Sequence, residues 1–211
     1  MSDVSSIIRT DQDVAEAAAR LALIEPRFAQ VLSQTGPLPL RLKPDGFAGL
    51  LEIIVSQQVS VASADAIRLR MNAVGLFSEQ AVLSAGEDGL RNTGLSRPKA
   101  RYALNLAGAA LDYNALHDLD NAQVMARLTA ITGVGPWTAQ IYAMFCMGRA
   151  DLFPHGDLAL QVAAQALFEL GERPKPEALA QMAENWAPWR SVAARALFAY
   201  YRIVKNREGL G

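Results

Sequence analysis

Three observations predict an all-α fold. Alanine and leucine dominate, and alternation of valine, isoleucine and threonine is scarce; alanine and leucine give up little freedom in a helix. Apolar residues recur at helical spacing, as at Val14, Ala18 and Leu21. Glycine and proline separate one periodic run from the next. No segment reads as a strand, an internal repeat or a low-complexity tract.

The 211 residues suffice for one substantial core or two small lobes, and 51% hydrophobic against 19% charged content excludes wholesale disorder. A net charge of −1 excludes a histone-like binder, so affinity for nucleic acid must come from a local basic patch. The one cysteine, Cys146, lies in an apolar run and reads as a buried small hydrophobe. A single thiol excludes an internal disulfide and a cysteine-ligated iron–sulfur cluster. Met1 to Thr10 lack the pattern of a signal peptide, and the longest apolar stretch, Trp137 to Gly148, is too short and polar to span a bilayer. The expectation is a soluble intracellular protein with no membrane partner.

In chain order, periodicity predicts a helix over 11–24 and another from Pro26 to Gly36. Prolines at 37, 39 and 44 make the next stretch an extended connector. A helix follows from Asp45 through Val55, then Ser56-Gln57-Gln58-Val59-Ser60, with Ser60 capping a helix over 61–73. Short helices fit 78–83 and 86–92, and a longer one 98–111. Asn121 is placed to cap a helix to Ile131, a glycine turn leads into a helix over 136–147, and others fit 157–170, 177–185 and 188–204. A basic tail closes the chain through Lys205, Arg207 and Gly211.

Two stretches carry chemistry. Gly133-Val134-Gly135-Pro136 joins two helices. Gly133 and Gly135 permit positive φ and close approach of another backbone, and Pro136 suits a first helical turn. Bare N–H groups at such a helix start suit a phosphate. An ordinary helix corner is the alternative, but Leu128, Ile131 and Thr138-Ala139 on its flanks favour the phosphate grip. About twenty residues on, Asp157 stands at another helix start, where it serves as an N-cap, as an acid facing a sugar, or as both. His155 is either a second acid–base group or a solvent-facing loop residue. Most aromatics belong to the core, while Trp137, directly after the turn, is placed to stack on an extruded base. Ser56 to Ser60 is either a capped turn or a wedge into a base stack. Arg97, Lys99, Arg101, Arg190, Arg195 and Arg202 are candidate phosphate contacts or solvated charges.

The blocks Ile53 to Ser60, Gly94 to Ala100, Leu128 to Ala139, Phe153 to Asp157 and Trp186 to Ser191 together resemble the helix-hairpin-helix (HhH-GPD) DNA glycosylase superfamily. They are most similar to its DNA-3-methyladenine glycosylase II branch, over roughly residues 45–205. The resemblance implies two helical subdomains, 46–154 and 1–45 plus 155–211, with the helix-hairpin-helix at about 128–147 and the active-site cleft between them. A compact, all-helical version without the small β-domain at the front of some relatives is implied. Asp157 matches the essential aspartate, and Gly133, Val134 and Gly135 match the DNA-backbone hairpin. Backbone carbonyls of Thr129, Ile131 and Val134 match those holding a monovalent cation, Na or K; no other cofactor is implied. Gln58 matches the wedge, with Gln57, Trp137 and Phe198 in the base pocket. Ile141 and Leu158 replace pocket aromatics of some relatives, and Phe198 replaces a frequent tryptophan.

Trp137 stands where bifunctional relatives carry a Schiff-base lysine, which implies a monofunctional hydrolase. The implied reaction starts base excision repair. An alkylated base of the 3-methyladenine or 7-methylguanine type is flipped from double-stranded DNA and its N-glycosidic bond hydrolysed, by a cytoplasmic monomer that is nucleoid-associated in a bacterium. The alternatives are a glycosylase for deaminated or mismatched bases, a non-catalytic helix-hairpin-helix DNA-binding protein, and a purely structural helical protein.

Overall fold

The computed structural model describes residues 6–207. The first residues of the N-terminal stretch and the end of the basic tail, Gly211 among them, lie outside the described residues. Within these, eleven α-helices and one short 3-10 helix account for the regular structure, and the one β-type pairing is an isolated bridge between Ile7 and Arg149. No helix among the described residues is long and apolar enough to cross a membrane.

The chain divides into a central unit, Lys43–Met147, and a terminal unit built from the segments on either side. The sequence placed the second boundary at 154/155, seven residues late. Pairing decides the difference. Ile8 N donates to Gly148 O at 2.7 Å, and Ala150 N to Ser6 O at 2.9 Å. The Ser191 hydroxyl donates to Arg149 O at 2.6 Å. Gly148 to Leu152 therefore belong with the termini. The first boundary falls at 42/43 instead of 45/46, because Lys43 N donates to Phe145 O at 2.7 Å.

The central unit holds α3 (Phe47–Ser56), α4 (Val61–Ala73), α5 (Glu79–Asn92), α6 (Arg97–Gly108), the 3-10 helix (Ala115–Asp118), α7 (Asn121–Thr129) and α8 (Pro136–Phe145). Its axis is α3, whose Leu50, Leu51, Ile54 and Val55 are fully buried and which packs against α4, α6 and α8. A helix apolar on most of its circumference has to sit inside other helices. The two short helices expected at 78–83 and 86–92 are one bent element: Ser78 caps it through Ala81 N, and Gly86 breaks it with φ 62° and ψ −172°. Asp120, not Asn121, caps α7. Its carboxylate accepts from Gln123 N while Gln123 reaches back to Asp120 N, a reciprocal box only the residue one position earlier can close. The 3-10 helix, too short for periodicity to reveal, is tied to the start of α3 by a 2.6 Å contact of His117 Nε2 with Asp45 Oδ2. Tyr142, expected as core, is buried and also donates its hydroxyl to Asp45. Cys146 is buried as expected, and that burial, then the charge of Asp45, pushes its thiol up to about 12.

The terminal unit holds α1 (Asp11–Ile24), α2 (Arg27–Thr35), α9 (Leu158–Leu167), α10 (Pro176–Glu184) and α11 (Arg190–Arg207). Helix α11 is its centre, with α1, α2 and α9 packed on it. Trp186 stacks on Phe168 at 5.7 Å between centroids and meets Phe28 and Phe153 edge-on at 5.3 Å each. Such pairs contribute about 0.5–1.5 kcal/mol each beyond their buried area. The N-cap of α1 is Thr10, closed into a capping box with Asp13. Lys205, expected in a tail, lies inside α11.

Candidate active site

Helix α3 ends at Ser56, and the next residues turn the chain into α4. Gln57 leaves the helical region (φ −59°, ψ 132°), and Gln58 follows at φ 52°, left-handed backbone that a non-glycine residue rarely adopts. Three anchors hold this turn. Lys99, 9% exposed, extends from α6 and donates its ammonium to Val55 O at 2.7 Å, satisfying one of the carbonyls a helix C-terminus leaves without an intrahelical partner. The Gln57 side-chain amide donates to the Thr138 hydroxyl at 2.7 Å. Ser60 caps α4 through Ser63 N. Gln58 is exposed between them, flanked by Val59 and Val61, which are 40% and 77% exposed. Apolar side chains left in water beside a rigidly held polar one suit a surface that enters another molecule.

Lys99 was among the sequence candidates for phosphate contact, and the structure corrects that reading. Its charge is directed at α3, and burial holds its pKa below the usual lysine range. Gln57, expected in the pocket, has its amide committed to Thr138, so it also fixes the turn to the first turn of α8 one residue after Trp137. Trp137 itself is half-buried, while Thr138 behind it is buried.

In the hairpin, Val134 is buried and its N–H donates to Ile131 O at 2.9 Å, closing the turn after α7. The two glycines, equivalent in the sequence reading, are not equivalent here. Gly133 has φ 103°, and a Cβ on it would lie 2.4–2.6 Å from Cβ, Cγ and Cδ1 of Tyr102. Gly135 has φ −80°, which any residue adopts, and a Cβ on it would meet nothing within 4 Å. Gly133 is demanded by the fold. Gly135 leaves room outside, over the N-terminus of α8, where Pro136 takes the first helical position.

The Thr129 carbonyl ends α7, and those of Ile131 and Val134 lie in the turn after it. Neutral carbonyl oxygens beside the negative end of a helix dipole suit a monovalent cation. Ile131 O already accepts from Val134 N, which leaves its second lone pair for an ion.

In the terminal unit, Asp157 is the N-cap of α9, and its Oδ1 accepts from Ala159 N at 2.8 Å. It is half-buried, and its N–H donates to Pro154 O at 2.9 Å. The buried Gln161, one turn along α9, donates its amide to His155 O at 3.2 Å and braces the loop that carries the acid. Leu158, next to Asp157, is 55% exposed, leaving an apolar surface beside the carboxylate. A carboxylate so placed is held in a fixed orientation by the backbone, as a group facing developing positive charge has to be. Phe198 is half-buried on α11, with Arg195 three residues before it and Arg202 four after, on one face of the helix. Arg97 and Arg101 both pair with Glu87 at 3.3 Å, and Arg190 pairs with Asp151 at 2.6 Å.

An all-helical chain with a helix-hairpin-helix and, one loop later, a carboxylate on a helix N-cap falls into the class of base excision repair proteins. The chain belongs to the HhH-GPD superfamily of base excision DNA repair proteins, whose family model matches residues 51–188. A Bacillus subtilis protein whose name places it among DNA-3-methyladenine glycosylases is 29% identical over 81% of the chain, and the chain spans 64% of that protein's length. The structure is similar to that of a DNA-3-methyladenine glycosidase from Bacillus halodurans (TM-score 0.79, 30% identity, covering 90% of this chain and 91% of that one). It is also similar to that of a Schizosaccharomyces pombe 3-methyladenine DNA glycosylase in complex with abasic DNA (TM-score 0.76, 25% identity, 87% and 95% covered).

Proposed function

We propose that the protein is a monofunctional DNA glycosylase that removes alkylated bases of the 3-methyladenine and 7-methylguanine type from duplex DNA. The observation that carries the reading is Asp157, oriented at the N-cap of α9 in a chain whose hairpin helix opens with Pro136-Trp137 and carries no lysine in that turn. Alkylation at a purine ring nitrogen gives the base a positive charge and makes it a good leaving group. The glycosidic bond then breaks with its electron pair going to the base, which leaves neutral. Water adds at the sugar carbon, and its proton passes to Asp157 or to solvent. The Asp157 carboxylate stabilises the oxocarbenium-like sugar and orients that water. Without an amine nucleophile at 137, the reaction stops at the abasic site.

Trp137 supplies stacking and cation–π attraction for the charged base. Gln58 fills the space the base leaves, helped by the exposed Val59 and Val61. Gly133 and Gly135, on either side of Val134, turn their N–H groups toward a backbone phosphate. The carbonyls of Thr129, Ile131 and Val134 are the residues that would hold a sodium or potassium ion, supplying positive charge for that phosphate. The enzyme works as a monomer in the cytoplasm, associated with the nucleoid if its source is bacterial.

The test is release of radiolabelled bases from methylated DNA, identified by chromatography. Release of 3-methyladenine and 7-methylguanine with unbroken abasic strands is expected. Release only from hypoxanthine- or uracil-containing DNA would move the substrate class to deaminated bases, and tight binding without abasic product would remove the catalytic reading.

A further inference from the structure

Of the cations singled out in the sequence, the structure commits Arg97 and Arg101 to Glu87, Arg190 to Asp151 and Lys99 to Val55 O. Arg202 has no carboxylate partner among the described residues. It is joined by an arginine with no motif to announce it, Arg41 in the proline-rich connector, which likewise lacks a carboxylate partner there. We infer that Arg41, Arg195 and Arg202 form a phosphate-binding site in the terminal unit that takes a backbone phosphodiester of duplex DNA, separate from the hairpin; this rests on the reading that duplex DNA is the partner.

Four observations carry it. Arg195 is 4% exposed and donates to Leu40 O, so a buried guanidinium sits directly behind the peptide that precedes Arg41. Leu40 is held through its other backbone group as well, since its N–H donates to Asp11 Oδ1 at 3.1 Å. Arg41 has φ 51°, a left-handed conformation that a non-glycine residue rarely adopts and that persists only where the surroundings impose it. Arg195 and Arg202 are seven residues apart on α11, two turns along one face, with Arg202 exposed.

Burial and then the charge of Arg202 lower the pKa of Arg41, and burial and then Arg41 lower that of Arg195, so the three guanidinium groups feel one another. The positive charges of Arg41 and Arg202, which have no carboxylate partner among the described residues, are a cost the folded protein bears until an anion arrives. Guanidinium groups offer forked donors that match the oxygens of a phosphate. Phe198, on the same face between Arg195 and Arg202, adds an apolar surface against which the sugar of a nucleotide can lie.

The experiment compares the full chain with Arg41→Gln, Arg202→Gln and the double variant, leaving buried Arg195 intact. Equilibrium binding to a duplex bearing a stable abasic-site analogue is followed across salt concentrations, with thermal melting as the fold control. Each phosphate neutralised steepens the dependence of log K on log salt by about 0.9. The double variant should therefore lose about that much slope, so between 50 and 200 mM salt its affinity falls roughly 3.5-fold less than that of the unaltered chain. The charge-retaining pair Arg41→Lys with Arg202→Lys should keep the slope. An unchanged slope in a folded double variant overturns the inference, and does so even if inorganic phosphate, titrated in parallel, binds the unaltered chain and not the variant; the site would then take free anions only. Failure of the unaltered chain to bind the duplex at any salt would instead strike the DNA reading itself, before any variant is compared.

Discussion

Replacing each hairpin glycine by alanine should separate fold from function within three residues. At Gly133 the backbone sits at φ 103°, and forcing a Cβ into so sparsely populated a region costs about 1–3 kcal/mol. The new Cβ would also fall 2.4 Å from Cγ and 2.5 Å from Cβ of Tyr102, so part of α6 must shift, at about 1–3 kcal/mol for overpacking. The sum is on the order of 4 kcal/mol, or roughly 8–16 °C in melting temperature for a chain of this size. Truncating Tyr102 to alanine should not rescue the variant, because its Cβ is itself one of the clashing atoms. Gly135→Ala meets no atom within 4 Å and keeps an ordinary φ of −80°, so its melting temperature should stay within about 4 °C of the parent. What it should lose, if the proposed grip holds, is affinity for duplex DNA, since the added methyl would occupy the open space left for the phosphate. Thermal melting and duplex binding on both variants decide the matter. A Gly133→Ala protein as stable as Gly135→Ala would refute the packing argument, and a Gly135→Ala protein with undiminished DNA affinity would refute the grip.

Two other changes test the neighbouring parts. Asp157→Asn keeps an oxygen for Ala159 N and is an equally good N-cap, so stability should hardly move. Base release should fall about a hundredfold or more, and a wild-type rate in single-turnover excision would remove Asp157 from the mechanism. Lys99→Met removes the ammonium from Val55 O and leaves a helix-end carbonyl without its donor, at about 1–3 kcal/mol. Because that carbonyl lies three residues before Gln58, affinity for an abasic-site duplex should fall along with stability. Unchanged affinity in the folded variant would show that Lys99 does not position the turn.

Much of the helical layout was legible in the sequence for local reasons. Residues 11–24 and 61–73 form helices with the predicted bounds because periodicity and capping act over a few neighbours, and Ser60 and Asp157 cap where their types and positions predict. Errors fell where two adjacent residues suit one role. Aspartate and asparagine are comparable N-caps, so Asp120 and Asn121 were indistinguishable until the reach to Gln123 was known. The four-residue 3-10 helix is shorter than any period can register.

The site divides in the same way. The amino-acid order alone determines that a glycine turn enters a proline-led helix, that tryptophan follows it in place of lysine, and that an aspartate begins the helix one loop later. These are statements about neighbours, and local chemistry suffices for them. Tertiary structure decides everything that depends on residues distant in sequence. Lys99 became a brace for the turn before Gln58 because it reaches Val55, 44 positions away, and Gln57 became an anchor because Thr138 stands 81 positions off. The difference between Gly133 and Gly135 came from Tyr102 packing against one of them. Arg41 came to the arginines of α11 because Arg195 binds the carbonyl of its neighbour Leu40, 155 positions away. Side chains of one type are interchangeable in a string; burial and the partner brought up by folding make them unlike.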